Sequence, residues 1–419
     1  MPEWIQTTLT SNWFWAALAL VVGYAVTLMG LPVYTWWERR GAGMLQMRPG
    51  PNRRGPYGIV QAIADAVKLA MKEDFVPAGA NRLLHALAPM IIMTVALTTF
   101  AVVPWTGDVQ LLGKSVRLQV ADLNVGIIFV LAIASLAVHG IVLAGWSSNN
   151  KYSLLGGLRG AAQMVSYEIA MGLALVAVIM VTGSVSIHQM VADQAGPIWK
   201  WGIFQAPLAF IIYLAASYAE ANRVPFDLPE AESEIVAGYH TEYSSLRFGL
   251  FYMGEYVHMA VSAALMALLF FGGWHLPWVE QLLGPQAYSR LFPWLLGAGA
   301  LAALLLAWDV NRPRRRRFSR GNGIMAVICL LAALVLIALA VVVGANSDSA
   351  WVAALATLGS QLVIMLVKFL FFFWLFIWVR WTLPRFRYDQ LMRLGWKVLL
   401  PLGLFNIGLT AVLVLAGIV

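Results

Sequence analysis

Residues 219–243 read Ala-Glu-Ala-Asn-Arg-Val-Pro-Phe-Asp-Leu-Pro-Glu-Ala-Glu-Ser-Glu-Ile-Val-Ala-Gly-Tyr-His-Thr-Glu-Tyr. Asp227, Glu230, Glu232, Glu234 and Glu242 set five acids against two arginines, Arg223 and Arg247, within residues 221–247. Carboxyl groups this close alter one another's hold on protons, which is the chemistry of proton exchange. The acids alternate with Pro225, Phe226, Leu228, Pro229, Ile235 and Val236. That mixture suits packing on a partner or lining a cavity better than a freely solvated loop.

A second set of ionisable residues falls inside apolar runs. At ~1.5 Å per residue, Glu168 lies roughly 10 Å from the inside end of its run, with Glu255 and His139 at a similar depth. Glu220 closes the inside end of another run, and Lys368 lies near a membrane midplane. Such groups are costly in lipid and read by default as functional. Three carboxylates and a histidine, Glu168, Glu220, Glu255 and His139, read together as a polar path able to pass protons. The plainer alternative is a set of satisfied interhelical pairs. His85 and His258 read as residues facing an interface.

Other chemistries find no support. No Walker A loop, HExxH or GxSxG is present, and no catalytic residue or metal site is expected on this chain alone. The single cysteine, Cys329, excludes a disulfide framework and a cysteine-ligated iron–sulfur cluster within the chain. Any redox centre belongs to a partner or to a diffusible molecule.

Something apolar must position these groups. Hydrophobic residues make up 61% of the 419 and charged residues 11%, and mean hydropathy is +0.76, which excludes a water-soluble globule and disorder. Ten apolar runs fall near residues 13–37, 83–103, 123–146, 161–181, 203–219, 248–274, 291–308, 324–344, 351–381 and 398–419. With the N-terminus outside, the inside loops 38–82, 147–160, 220–247, 309–322 and 380–397 carry 23 Lys and Arg, against 4 in the outside loops. The net charge of +8 is therefore read as positive-inside bias rather than as a nucleic-acid signal. The expected fold is an all-α polytopic membrane protein. It comprises a single transmembrane domain over 1–419, about ten spans, and both termini outside. Ile59, Ile63, Val67 and Met71 recur at helical spacing, which predicts a short amphipathic interfacial helix near 58–72.

Four blocks resemble the quinone-site membrane subunits of proton-pumping NADH:quinone oxidoreductase, respiratory complex I. The first is Glu38-Arg39-Arg40 with Met47-Arg48-Pro49-Gly50-Pro51-Asn52-Arg53 and Gln61 through Asp65. The second is Gly145-Trp146-Ser147-Ser148-Asn149-Asn150-Lys151-Tyr152 with Gln163 and Ser166-Tyr167-Glu168. The third is the acidic loop with Glu255-Tyr256, and the fourth runs from Arg380 to Gln390. The resemblance implies a quinone chamber lined by Arg39, Arg40, Arg54, Asp65, Phe226, Asp227, Glu230, Glu232 and Glu234. It implies a proton relay through Glu168, Glu220 and Glu255, beside which the residue pattern adds His139. Quinone would be the substrate, with no cofactor bound covalently here. FMN and iron–sulfur clusters would sit on peripheral-arm partners, and other membrane subunits would adjoin in an energy-transducing membrane, such as the bacterial inner membrane. The family usually has eight spans. The two extra ones lie between residues 288 and 345 and flank the arginine-rich stretch 312–320, which could bind anionic lipid headgroups or simply hold topology. Two alternatives remain open. One is the related subunit of a membrane-bound hydrogenase. The other is a secondary transporter, for which the expected paired broken helices are not visible.

Overall fold

The computed structural model describes residues 12–53, 55–111, 113–230, 232–284, 286–311, 322–346 and 349–417. Arg54 and the stretch 312–321 therefore lie outside the described residues, as do both termini.

The first apolar run forms α1 (Trp13–Leu45). Pro32 cannot donate to the carbonyl four residues back, and the helix widens just before it into a π turn, Ala25–Met29, where Gly30 N–H reaches Ala25 O at 3.0 Å. After the basic turn comes α2 (Val60–Met71), the expected amphipathic helix. Val60, Ile63, Val67 and Met71 form an exposed apolar stripe along it. The helices α3 (Arg82–Phe100), α4 (Gly126–Ser147) and α5 (Lys151–Thr182) follow. Asn81 and Asn150 cap α3 and α5, their side chains accepting from Leu84 N and Tyr152 N.

The fifth run departs from expectation. Its helix, α6 (Pro207–Glu220), has 14 residues, about 21 Å at ~1.5 Å per residue, against a hydrocarbon core of about 30 Å. Ala206 leaves helical geometry (φ −136°, ψ 63°) and Pro207 opens the helix, so the run splits from a one-turn helix, Gly202–Gln205. Among the described residues, nine helices are long and apolar enough to cross a membrane, and α6 is the shorter tenth.

The remaining long helices are α7 (Ser245–Phe270), α8 (Ala287–Asn311), α9 (Asn322–Ala345), α10 (Ala350–Thr382) and α11 (Tyr388–Leu415). In α11 a π turn, Leu394–Leu399, again falls just ahead of a proline, Pro401. The described residues are thus helical, apart from turns, loops and one hairpin that the apolar pattern did not foreshadow. There β1 (Val109–Leu111) pairs antiparallel with β2 (Lys114–Val116) around Gly113.

The helix α7 is central. It is the most buried of the long helices and packs against α2, α3, α6 and α10. Lys368 of α10 closes its C-terminal end, donating to Phe271 O at 2.6 Å and to His275 O, beyond the helix, at 2.5 Å. This cation therefore caps the carbonyl that closes α7 and ties down the turn after it. The pair α8 and α9 pack on each other and reach the rest of the bundle through α8 against α10, where Phe292 lies over Gly359. At the C-terminal end of α8, Asp309 accepts a 2.5 Å hydrogen bond from Tyr57 of the basic turn.

The acidic loop is held on α5. Ser153 Oγ donates to Tyr239 O at 2.9 Å, and Gln163 Nε2 donates to Ala219 O at 2.8 Å. Between them a Cβ on Gly156 would lie 2.6–2.7 Å from the Gly238 and Tyr239 backbone. Only glycine permits that approach, because the obstruction is main chain and cannot rotate away. Gly156→Ala should therefore lift the loop, at about the 1–3 kcal/mol typical of overpacking. Native gels and thermal denaturation of the solubilised protein should show less assembled and less stable protein. Gly172→Ala, where an added Cβ meets nothing within 4 Å, should change neither.

Candidate functional site

The chain turns sharply after α6. Asn222 takes positive φ (50°), and Arg223 is directed inward, with only 2% of its surface exposed. Arg223 Nε lies 2.5 Å from Glu255 Oε1 of α7. Its Nη1 donates to both oxygens of Glu38 in α1, at 3.1 and 3.2 Å. The guanidinium also lies 4.4 Å from the centre of the Tyr256 ring. Glu38, 4% exposed, accepts further bonds from Arg380 of α10 and from the Tyr256 hydroxyl. Burial works against the Arg223 charge, but Glu255 and Glu38 beside it hold the guanidinium protonated, above its ordinary range. Four separate stretches of chain thus converge on one charged knot.

Next to the knot lie three small cavities, of about 10, 10 and 20 Å³. A space of this size admits about one water. Glu220 lines all three. The first is shared with Glu168. The second is shared with Glu255, His258, Asn222 and Tyr239. The third is shared with His258, Tyr213, Thr99 and Ser262. Among the described residues neither Glu168 nor Glu220 has an ion-pair partner, whereas Glu255 is tied to Arg223. Glu168 and Glu220 can therefore change charge without breaking a salt bridge.

Three of the four expected relay residues meet here, and His139 does not. It is exposed and lines none of these cavities. Ala137 and Ile141 of α4 line the cavity at Glu255. At ~100° per residue, a side chain two positions from either points roughly the opposite way. Depth placed His139 with the carboxylates, but the helix face did not.

The expected chamber residues take different positions. Phe226 is buried between Tyr167 and Phe386, with ring centres 5.2 and 5.4 Å away. Asp227 accepts from Arg385 Nη2 at 2.9 Å. Glu230 lies 3.7 Å from His240 Nδ1. Glu234 is exposed and paired with Arg159 at 2.7 Å. Arg39 pairs with Asp65. Arg40 lies 4.4 Å above the Tyr57 ring and donates to Tyr57 O at 3.1 Å. The Glu232 side chain and Arg54 lie outside the described residues.

Sequence reasoning did not single out Glu38, Arg223, Arg380 and Tyr256 as site residues. Glu38 offered a signal, an acid at the very end of an apolar run beside two arginines. His258, read as an interface residue, lines two of the cavities. His85 does pack at an interface, stacked on Tyr243 at 3.9 Å and accepting at Nδ1 from Arg247 at 3.0 Å. Among the described residues, no group of three His, Cys, Asp or Glu could hold a metal ion.

A polytopic helical bundle with a buried charged knot and carboxyl groups joined by water-sized cavities defines a class, the membrane protein that keeps ionisable groups inside its span. The comparisons with known proteins narrow it. The family model for NADH dehydrogenase matches residues 17–411, and the chain belongs to that family. It is 39% identical over 399 residues to an NADH-quinone oxidoreductase subunit of Flavobacterium johnsoniae, covering 95% of both chains. It is 41% identical over 400 residues to NADH-quinone oxidoreductase subunit 8 of Rhodothermus marinus, covering 95% of this chain and 96% of that one. An NADH-quinone oxidoreductase subunit of Geobacter metallireducens is 42% identical over 395 residues, with 94% of each chain covered. The chain is thus a membrane component of a multi-subunit NADH-quinone oxidoreductase.

Removing one partner of a buried ion pair costs about 3–5 kcal/mol, because the other charge is left in apolar surroundings. Arg223→Met should therefore abolish assembly, measured as subunit recovered in the intact complex. Adding Glu255→Gln removes part of the stranded charge and should restore some of it, as coupled sites do.

Proposed function

We propose that this chain is the quinone-chamber subunit of a proton-translocating NADH:quinone oxidoreductase, and that it links quinone reduction to proton movement through buried carboxyl groups. One observation carries the reading. Glu220 borders every one of the three cavities and so joins Glu168 on one side to Glu255 and His258 on the other.

In this reading Arg39, Arg40, Arg54, Asp65, Phe226, Asp227, Glu230, Glu232 and Glu234 border the chamber. Electrons arrive from iron–sulfur clusters and FMN on a soluble arm that docks on the inside loops, beside other membrane subunits of complex I. The membrane is a bacterial inner membrane, with both termini outside.

Quinone reduction consumes two electrons and two protons, and it draws negative charge or protons toward the acidic loop. Unit charges 4 Å apart interact by ~4 kcal/mol at an effective dielectric of 20. One pKa unit corresponds to 1.36 kcal/mol. A fraction of that coupling suffices to change the proton occupancy of a carboxyl group with no fixed counter-ion. Glu220 then passes the change to Glu168 through the water space between them. The Arg223 knot keeps its charges throughout and holds the geometry still.

Glu220→Gln keeps the shape and removes the titration. In the assembled complex, reconstituted in vesicles, it should lower quinone-linked turnover and proton pumping at least ten-fold. NADH oxidation by an artificial acceptor should stay near wild type. Wild-type coupled pumping in that variant would rule out Glu220 as the junction.

A further inference from the structure

Glu255, His258 and Ser262 lie three and four positions apart on α7, which sets them along one face of the helix. His258 is 7% exposed, and its Nε2 is buried without a hydrogen-bond partner among the described residues. It lines two of the three cavities. One is shared with Glu220 and Glu255, and the other with Glu220, Thr99 and Ser262. A buried ring nitrogen without a partner, beside two water-sized spaces, is suited to bonding with mobile water rather than to packing.

We propose that His258 is a proton-carrying residue, set where the relay branches from the acidic loop toward Thr99 and Ser262, deeper in the membrane. The inference rests on the relay reading above and adds a member and a direction to it. The proton balance is simple. With the ring in the tautomer that carries its proton on Nδ1, Nε2 accepts a proton from Glu220 through water in the shared space. Glu220 is left as a carboxylate and His258 becomes an imidazolium. Release to water beside Ser262 restores the neutral ring, and no oxidant or reductant is needed.

The titratable groups lining its two cavities are Glu255 on its own helix, Glu220 and Tyr213 from α6, and Tyr239 from the acidic loop. From α3 and α4 the lining is Thr99 and apolar side chains. An imidazolium there is favoured while Glu220, which lines both cavities, carries negative charge. Its occupancy therefore follows that of Glu220, as a relay member's must.

The test uses the intact complex in vesicles, with His258→Gln and Glu220→Gln prepared side by side. We expect His258→Gln to assemble and to oxidise NADH with an artificial acceptor at the wild-type rate. Its quinone-linked turnover and pumping should fall at least ten-fold, and its pH profile should change shape. Wild-type pumping overturns the inference. A loss that is uniform across pH, leaving the profile unchanged, also overturns it by assigning His258 to packing. If His258→Gln does not assemble, His258→Asn is read the same way, and failure of both again assigns packing. An impaired Glu220→Gln beside an intact His258→Gln rejects only this inference. Intact function in both rejects the relay itself.

Discussion

Arg223 is a cation buried among helices, and it is tolerated there only because Glu255 and Glu38 meet it from two different helices. Each of these charges alone would cost several kcal/mol in apolar surroundings, and their mutual attraction repays it only with close geometry. That requirement fixes α1, α7 and α10 relative to one another, because Arg380 and Tyr256 also bind Glu38. It also fixes the turn after α6, and with it the place of Glu220 at the cavities. Paired and unpaired charges are thus divided between neighbouring spaces. The knot positions, and the unpaired carboxyl groups are left to respond.

The short α6 follows the same logic. Split at Ala206 and Pro207, it ends at Glu220 within the bundle, and the acidic loop begins there. Close backbone contact then seats the loop on α5, with Gly156 against Gly238. Small residues appear where helix and loop must touch, as they do wherever close approach supplies the cohesion within a bilayer.

Much of this was legible in the sequence, and the limits have physical causes. Apolar runs gave the helices, and hydrophobic periodicity gave α2. Depth along a run, however, is one coordinate, and it placed His139 with Glu168 although the face of α4 sets them apart. Arg223 and Glu38 are 185 residues apart in sequence, and no local pattern joins them. His258 could have been found from its spacing to Glu255 and Ser262, had the polar stripe on an otherwise apolar helix been given more weight than the single histidine. The β hairpin depends on Gly113 and a few residues either side, too short a signal to separate from a loop.

The central claim is that Glu220 joins the carboxyl groups through water. A high-resolution structure of the intact complex in a lipid nanodisc, with ordered solvent visible, addresses it most directly. The account predicts water in each of the three spaces, bonded to Glu220 and reaching Glu168 on one side and Glu255 or His258 on the other. Dry spaces closed by Met164, Met171 and Ile92, with Glu220 bonded only to protein, would contradict it.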